Sequence, residues 1–351
     1  MMLLSLLTLV SCERRPLNEL NNRILLRLKI ELKIMNVVEI EQPEVMRVVL
    51  YNPETGRKVT EDYVPAEGGY ISVPPGDYKI IVYNFDTEST LIRNDNMYYE
   101  IEGYTNEISS ALKSKMYNTI NHSASLIKSA ARTKSGDASA DSVAVKSDDM
   151  VWVKAMEDLQ KSALIYEPDH LFVARQNIRI LNTSGEQVIE SKAESVVETY
   201  YLSVNVKNIK NMASATALLT GQIASNKIGY EKEEGKTNTN VTLYFNMKAS
   251  EDPENVNNDK IEATFNTFGK LPNTESRLWL TIVITSTDGT TVEWHKDITD
   301  EFEDNPDHVI NIVEDVIEIP DVNPGQGGSG GNGGFQPGVA EWEEEHHTIL
   351  I

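Results

Sequence analysis

Apolar and polar residues alternate along much of this chain, and a period of two residues predicts strands. The clearest case is the segment 24–34, ILLRLKIELKI, in which one side is apolar and the other is charged. The apolar side consists of Leu26, Leu28, Ile30, Leu32 and Ile34. This pattern is typical of a strand with one buried face.

Turn-forming residues separate the strands that follow. A strand beginning at Val45 runs into NPETG at 52–56, and PPGD at 74–77 separates two short strands. The second of these would bury Tyr78, Ile80 and Val82. The strongest hairpin signal is Asp288-Gly289, which lies between the alternating runs 277–286 and 291–298.

The remaining pattern predicts more strands than helices. Strands are expected at 150–157, 170–181 and 196–209, and the last would turn Tyr200, Leu202, Val204 and Val206 inward. The segment 308–319 fits either a final strand or a short helix. Residues 105–130 are expected to be partly helical, and the small, polar segment 131–149 predicts a mobile insertion loop.

Short strands at regular spacing indicate an all-β protein built from two β-sandwiches in tandem. One large sheet assembly is the alternative, but a polar stretch around 184–195 favours two units. We therefore expect an N-terminal β-sandwich domain at 23–190, containing the insertion, and a C-terminal one at 191–320. The tail, 321–351, holds a glycine-rich linker at 324–334 and a terminal strand at 348–351.

The lone cysteine, Cys12, follows an apolar run, MMLLSLLTLV, that has the length of a signal-peptide core. Leu9-Val10-Ser11-Cys12 resembles a bacterial lipobox, which predicts a signal peptide at 1–11, acyl chains on Cys12 and a tether at 12–22. No basic segment precedes the run, so we expect the true start to lie upstream. A buried strand, a zinc ligand or a nucleophile are the alternative roles for this residue.

The net charge of the chain and the motifs in its sequence argue against several classes of function. The formal charge of −22 and the pI near 4.7 argue against nucleic-acid binding, which needs a basic surface. No phosphate-binding loop, zinc-protease helix or calcium loop occurs, and a Gly-x-Ser-x-Gly match at 327–331 lies inside the glycine run. We therefore assign no catalytic, cofactor or metal residue.

Three further groups of residues are possible metal-binding or sugar-binding sites, and their sequence surroundings decide how we interpret them. His346 and His347 beside Glu343–Glu345 would bind metal only adventitiously. The acidic pairs at 148–149, 233–234 and 251–252 are expected to be solvated surface, with calcium binding as the alternative. The strand aromatics are expected in the core, with a sugar-stacking platform as the alternative; they are Tyr200, Tyr201, Trp279 and Trp294.

Several segments resemble the fimbrillin-type lipoproteins of Bacteroides-like bacteria, close to their fimbrial anchor and assembly subunits. They are the lipobox at 9–12, ISVPPGDYKIIVYN at 71–84, EPDHLFVA at 167–174, EATFNTFGKLP at 262–272 and FQPGVAEWEE at 335–344. The resemblance implies two transthyretin-like or immunoglobulin-like β-sandwich domains. It also implies an outer-membrane, surface-facing lipoprotein held by acyl chains on Cys12.

The resulting functional hypothesis is a non-enzymatic anchor or minor subunit of a fimbria. Pilin subunits would join by strand addition, in which main-chain hydrogen bonds form along an open sheet edge. The alternative is a surface glycan-binding lipoprotein of a nutrient-uptake system. An exposed aromatic platform beside Asn, Asp or Arg groups would favour that alternative.

Overall fold

The computed structural model describes residues 22–31, 42–133, 147–159, 161–183, 186–272, 277–302 and 305–321. The predicted signal peptide, Cys12, almost all of the tether, the centre of the insertion and the glycine-rich tail lie outside these residues. Within them, strands predominate and helices are few, which confirms the all-β prediction. Of the helices described, none has the length and apolarity that crossing a membrane requires.

The first part of the chain forms strands up to a pair of helices. The strands are β1 (Asn22–Glu31), β2 (Val45–Tyr51), β3 (Lys58–Pro65), β4 (Gly68–Val73), β5 (Gly76–Asn84), β6 (Thr90–Arg93) and β7 (Glu102–Thr105). The helices are α1 (Ser110–Thr133) and α2 (Ser147–Leu159).

The second part is again mostly strand. Its strands are β8 (Ala163–Tyr166), β9 (Phe172–Ile180), β10 (Gln187–Ser195), β11 (Glu198–Lys207), β12 (Met212–Ile223), β13 (Ser225–Lys227), β14 (Asn240–Ser250), β15 (Lys260–Thr267), β16 (Trp279–Ser286), β17 (Thr291–Asp297) and β18 (Val309–Glu318). A short helix, α3 (Thr299–Phe302), precedes β18, so the segment 308–319 is a strand.

A seven-stranded sheet has the order β3-β2-β5-β9-β10-β1-β4. All seven strands contribute to one apolar cluster, so the sheet must curl around that cluster. On the predicted apolar side of β1, Leu26 is fully buried and Leu28 and Ile30 are partly buried against this cluster, whereas Leu32 and Ile34 lie outside the described residues. The predicted residues Ile80 and Val82 of β5 are fully buried. The predicted turn at 52–56 joins β2 to β3, and Gly56 adopts a φ of 68° there.

An eight-stranded sheet has the order β17-β16-β12-β14-β15-β11-β18, and β8 also pairs with β14. The core of this sheet contains all four residues of β11 that were predicted to face inward, together with alternate residues of the other strands. These four residues are Tyr200, Leu202, Val204 and Val206. The Asp288-Gly289 turn joins β16 to β17, as predicted. This sheet therefore also curls around one core.

A third cluster joins the two sheets. A three-stranded sheet, β13-β7-β6, lies beside them. Ile81 and Tyr83, on the outer face of β5, pack with residues of the second half such as Ile223 and Phe268. Strand β5 is therefore buried on both faces, and an apolar contact connects the two curled sheets.

The segment 150–157 was predicted as a strand, and that prediction is wrong, because these residues belong to α2. Trp152, Val153 and Met156 are buried at helical spacing. They pack with α1 on the outer face of the eight-stranded sheet, where Leu218 and Val283 complete the cluster. The outer parts of the predicted insertion loop, 131–133 and 147–149, are helical, whereas 134–146 lies outside the described residues.

The predicted boundary at residue 190 falls inside strand β10. Residues 187–194 pair in parallel with 24–31 of β1, so the first sheet continues to Ser195. The polar residues at 190, 192 and 194 are the outward side of β10, and this exposed side resembles a linker in composition. The chain enters the second sheet at Glu198, while β8 joins that sheet from the first half.

Candidate interaction edge

The one predicted site residue, Cys12, lies outside the described residues. The four candidate aromatics are within them. Tyr200 and Trp279 are buried in the apolar clusters, while Tyr201 and Trp294 are half-buried. The Tyr201 hydroxyl donates to Glu262 at 2.7 Å and accepts from the Lys260 ammonium at 2.8 Å. These four side chains therefore do not form an exposed stacking platform.

The acidic pairs have local partners rather than a shared site. Asp149 lies 3.4 Å from the His295 ring, Glu233 pairs with Lys236 at 2.8 Å, and the Asp252 carboxylate accepts two backbone N–H groups of its own turn. In the described part of the chain, no three His, Cys, Asp or Glu side chains cluster in a way that could hold a metal ion. The His346–His347 pair lies outside that part.

Strand β3 forms one end of the seven-stranded sheet. Its ladder partner in the described structure is β2, over the register Val45–Tyr51 with Pro65–Lys58. Val59 and Tyr63 of this strand are 49% and 47% exposed. An end strand carries main-chain groups that can pair with another strand, so β3 is a candidate acceptor edge.

A charged cluster fixes β3 against its neighbours. The Arg47 guanidinium of β2 donates to Glu61 of β3 at 2.5 Å, to Asp95 at 2.7 Å and to the Tyr83 hydroxyl at 2.7 Å. The Lys58 ammonium donates to the same two carboxylates, at 3.0 Å and 3.1 Å. Two cations face two anions, so the cluster is neutral and ties β2 and β3 to the loop after β6.

The pKa values in this cluster follow from the pairing. The hydrogen bond from Arg47 lowers the pKa of Glu61, and the one from Lys58 adds to the effect. Burial by itself would raise the pKa of Asp95, but the bonds from Lys58 and Arg47 lower it overall. Both carboxylates are therefore held in the charged form.

An exposed apolar patch adjoins this cluster. Val45, Tyr63 and Phe85, here called the Phe85 patch, are each 39–51% exposed. The Tyr63 and Phe85 rings meet edge to face with centroids 5.6 Å apart, and the Arg47 guanidinium lies 5.5 Å from the Phe85 ring. The end strand thus has an apolar contact surface held in place from beneath.

The ends of the eight-stranded sheet differ in character. Lys296 of β17 donates to Asp315 of β18 at 2.8 Å, so an ion pair bridges the two end strands. The exposed residues of β18 include Val313 and Val316, but carboxylates stand at 314, 315 and 318. Charged side chains on an edge discourage pairing with another strand. On β3, Lys58 and Glu61 neutralise each other within the Arg47 cluster, so β3 is the better acceptor.

A partly buried polar network lies where the chain passes between the sheets. His170, before β9, approaches the Ser195 hydroxyl at 3.2 Å and the Thr199 hydroxyl at 2.9 Å. Thr199 in turn donates to Asn266 of β15 at 2.7 Å. Burial lowers the pKa of His170, so the neutral ring is favoured. The network connects β10 of the first sheet to β11 and β15 of the second.

Sequence reasoning missed both the Arg47 cluster and the His170 network. The available signals were single polar residues inside apolar runs: Arg47 in VMRVVL and His170 in DHLFV. A charged or polar side chain in such a run needs buried partners. The sequence pattern could not identify the partners of Arg47, because Asp95 is distant in sequence.

Comparisons with known proteins place the chain among related sequences. A family model described as "Domain of unknown function (DUF5119)" matches residues 11–246. The chain is 26% identical over 269 residues to a Bacteroides ovatus protein named "Putative fimbrium anchoring subunit Fim4B". The match covers 76% of this chain and 63% of that protein, so the chain spans less than two thirds of the relative's length. This relative confirms the resemblance predicted from the motifs.

Solved structures show a similar fold. A crystal structure described as a "putative adhesin" from Bacteroides ovatus superposes with a TM-score of 0.54 at 22% identity, covering 90% of this chain and 99% of its own. The fimbrial anchor protein Mfa2 from Porphyromonas gingivalis gives a TM-score of 0.41 at 10% identity, with 83% and 88% covered. The first of these likenesses shows a shared all-β architecture.

Proposed function

The chain belongs to the family described as Domain of unknown function (DUF5119), and from this premise we propose that it is a non-enzymatic anchor or minor subunit of a fimbria. The name of its Bacteroides ovatus relative, a fimbrium anchoring subunit, supports the proposal. The structural observation that carries it is the end strand β3, which is held by the Arg47 cluster and flanked by the Phe85 patch.

The architecture proposed for this role is two β-sandwich domains in tandem, of the transthyretin-like or immunoglobulin-like kind. In this proposal, each curled sheet with its own core would correspond to one domain. The division between them would fall between Ser195 and Glu198, where the chain leaves β10 and enters β11. The glycine-rich segment beyond Asp321 would then be a tail to the second domain.

Cys12 is proposed as the anchoring residue, with the protein held in the outer membrane and facing the cell exterior. Cleavage before this cysteine would leave it as the first residue, bearing acyl chains. Each buried methylene adds about 0.8 kcal/mol, and one chain alone binds only marginally, so several chains give a stable anchor.

Metabolic labelling with a palmitate analogue tests the anchor directly. Cells expressing the wild-type protein should incorporate the label and retain the protein in the outer-membrane fraction. The Cys12→Ser variant should lose both. Equal label on the two forms would refute lipidation at this residue.

Substitution of exposed side chains on and beside β3 tests strand addition at this edge. The double variant Tyr63→Ser/Phe85→Ser should retain its unfolding midpoint but bind the fimbrial pilin of the same bacterium at least tenfold more weakly. The matched control is Val313→Ser/Val316→Ser on β18, which should bind as the wild type does. If only the control loses binding, the acceptor edge lies in the second sheet.

The glycan-binding alternative receives less support. Tyr200 and Trp279 are buried, and the exposed pair Tyr63–Phe85 meets edge to face. A sugar ring stacks best on a flat aromatic face, whereas a mixed patch beside an end strand suits a polypeptide partner.

A further inference from the structure

A second exposed apolar surface lies at the opposite end of the seven-stranded sheet. Leu25 of β1 pairs with Tyr70 of β4 on one side and with Val188 of β10 on the other, so these side chains form a row across three strands. Tyr70 is 48% exposed, Val188 is 42% exposed and Leu25 is half-buried. This set is here called the Tyr70 row.

We propose that the Tyr70 row docks on the lipid surface to which the chain is anchored. The inference rests on the proposed acylation of Cys12, and it adds that the first sheet lies against the membrane in a defined orientation. The proposed partner of the row is thus a phospholipid surface.

The strand directions bring the row close to the start of β1. Asn22 pairs with Val73 at the end of β4, and the parallel strand β10 begins beside Ile24. Strand β9 ends at this same edge, and Leu181, which follows it, is 53% exposed and donates its N–H to Gln187 at 3.0 Å. The apolar side chains therefore gather where the chain comes from Cys12.

The chemistry of the row suits a membrane interface. The Arg23 guanidinium lies 3.9 Å over the Tyr70 ring, and the Tyr70 hydroxyl donates to Glu186 at 2.7 Å. An aromatic ring with an apolar body and a polar tip is the type of side chain enriched where hydrocarbon meets headgroups.

Basic side chains near the row can meet lipid phosphates. Arg27 and Arg179 lie near the row, and their carboxylate partners, Glu190 and Asp77, are 3.9 Å and 3.3 Å away. All four side chains are at least 60% exposed. Exposed pairs of this kind are worth at most about 1 kcal/mol, so the arginines can exchange these carboxylates for phosphate at little cost.

Reach places this row close to the anchor. Nine residues separate Cys12 from Asn22, and an extended chain spans at most about 3.5 Å per residue, so β1 begins within about 35 Å of the lipid. Leu25 follows soon after Asn22 on β1, so the Tyr70 row lies within reach of the lipid that holds Cys12.

The first test fixes the chain to lipid without relying on cellular acylation. Because Cys12 is the only cysteine, the chain from Cys12 onward, which retains every described residue, can be coupled through its thiol to a maleimide lipid. The vesicles contain phosphatidylethanolamine and phosphatidylglycerol, and hydroxyl-radical footprinting reports side-chain exposure. We expect oxidation of Tyr70 to fall at least fivefold on vesicles relative to the free chain, while that of Tyr166, which is 39% exposed on β8 of the eight-stranded sheet, changes less than twofold. Unchanged oxidation of Tyr70, or equal protection of both tyrosines, overturns the proposal.

The second test uses matched variants without an anchor. In the Cys12→Ser form of the same chain, Tyr70→Ser/Val188→Ser should reduce co-sedimentation with these vesicles at least fivefold. The control, Tyr166→Ser/Val316→Ser, removes the same residue types from the eight-stranded sheet and should change co-sedimentation less than twofold. Equal effects overturn the proposal, and thermal unfolding checks that both variants are folded. Palmitate labelling decides lipidation separately, so failure of the anchor and failure of docking are distinguishable.

Discussion

The guanidinium of Arg47 lies 2.7 Å from the carboxylate of Asp95, and this contact joins β2 to the loop between β6 and β7. Arg47 is 9% exposed and also bonds Glu61 and Tyr83, so one side chain links three segments of the first sheet. The rigidity of the proposed acceptor edge depends on this link.

Removal of the Arg47 side chain should lower the free energy of unfolding. Arg47→Ala leaves two carboxylates with Lys58 as their shared cation, and loss of one partner from a buried charge cluster costs about 3 kcal/mol. We expect the free energy of urea unfolding to fall by about that amount. Arg179→Ala, which removes an exposed ion pair, should change it by less than about 1 kcal/mol. A smaller loss for Arg47→Ala than for the control would contradict this account.

His170 should make stability depend on pH. Burial lowers the pKa of its ring in the folded chain, whereas the unfolded ring titrates near 6.5, so the unfolded state binds more protons below that pH. Stability is therefore fully present above about pH 6.5 and is lost as the pH falls towards the folded pKa. The slope can reach about 1.4 kcal/mol per pH unit.

Urea unfolding at pH 7.5 and pH 5.5 measures the effect. The change in unfolding free energy from pH 5.5 to pH 7.5 should be more negative, or less positive, in His170→Gln than in the wild type, because the stabilising contribution of neutral His170 is lost. His122→Gln, at an exposed position on α1, should leave the wild-type dependence intact. An unaltered pH dependence in the first variant would exclude His170 as its source.

Glu293 should make stability depend on pH in the opposite direction, so that stability falls as the pH rises. It lies opposite Val283 beneath the helices, and burial raises its pKa to about 8, although a hydrogen bond with Ser123 lowers it somewhat. The folded state thus retains a proton that the unfolded state releases near pH 4.5, and stability falls as the pH rises from about 4.5 to about 8.

Glu293→Gln should therefore be more stable than the wild type above pH 8, by about 5 kcal/mol. At pH 4.5 the two proteins should unfold at similar urea concentrations. Glu251→Gln, on the exposed surface, should follow the wild type at both pH values. A constant difference across this range would show that Glu293 is already ionised in the folded chain.

Gly68 should tolerate no side chain. Its φ is 100°, and a Cβ there would lie 2.1 Å from the carbonyl oxygen of Leu26, where β4 meets β1. We expect Gly68→Ala to lower the unfolding free energy by roughly 3 kcal/mol, since it combines backbone strain with a backbone clash. The control is Gly289→Ala, with a φ of 86° and no atom within 4 Å, which should cost only about 1 kcal/mol. Equal losses would mean that the backbone conformation alone sets the cost.

Local patterns predicted the strands well where one face is buried. Strand β11 and the β16–β17 hairpin follow from alternation and from Asp288-Gly289, because both signals are local in sequence. Helix α2 was missed because MVWVKAME is apolar at nearly every position, so the two periods cannot be separated. Tertiary packing determines that the segment is a helix, because the Trp152 ring stacks on His295 with centroids 4.0 Å apart.

The interaction edge was less predictable than the fold. Which strand ends a sheet depends on pairings between distant segments, such as β1 with β10, and composition does not encode them. For the same reason the polar stretch near residue 190 resembled a linker, although Ile189 and Ala193 within it are core residues.

The parallel pairing of β1 with β10 has a consequence for the order of assembly. Their paired residues are about 160 positions apart, and contacts of such separation form late because loop closure must precede them. During synthesis, one edge of β1 can pair with β4 early, but its other edge must wait until β10 has emerged. A chaperone that shields this open edge would therefore protect the protein from aggregation.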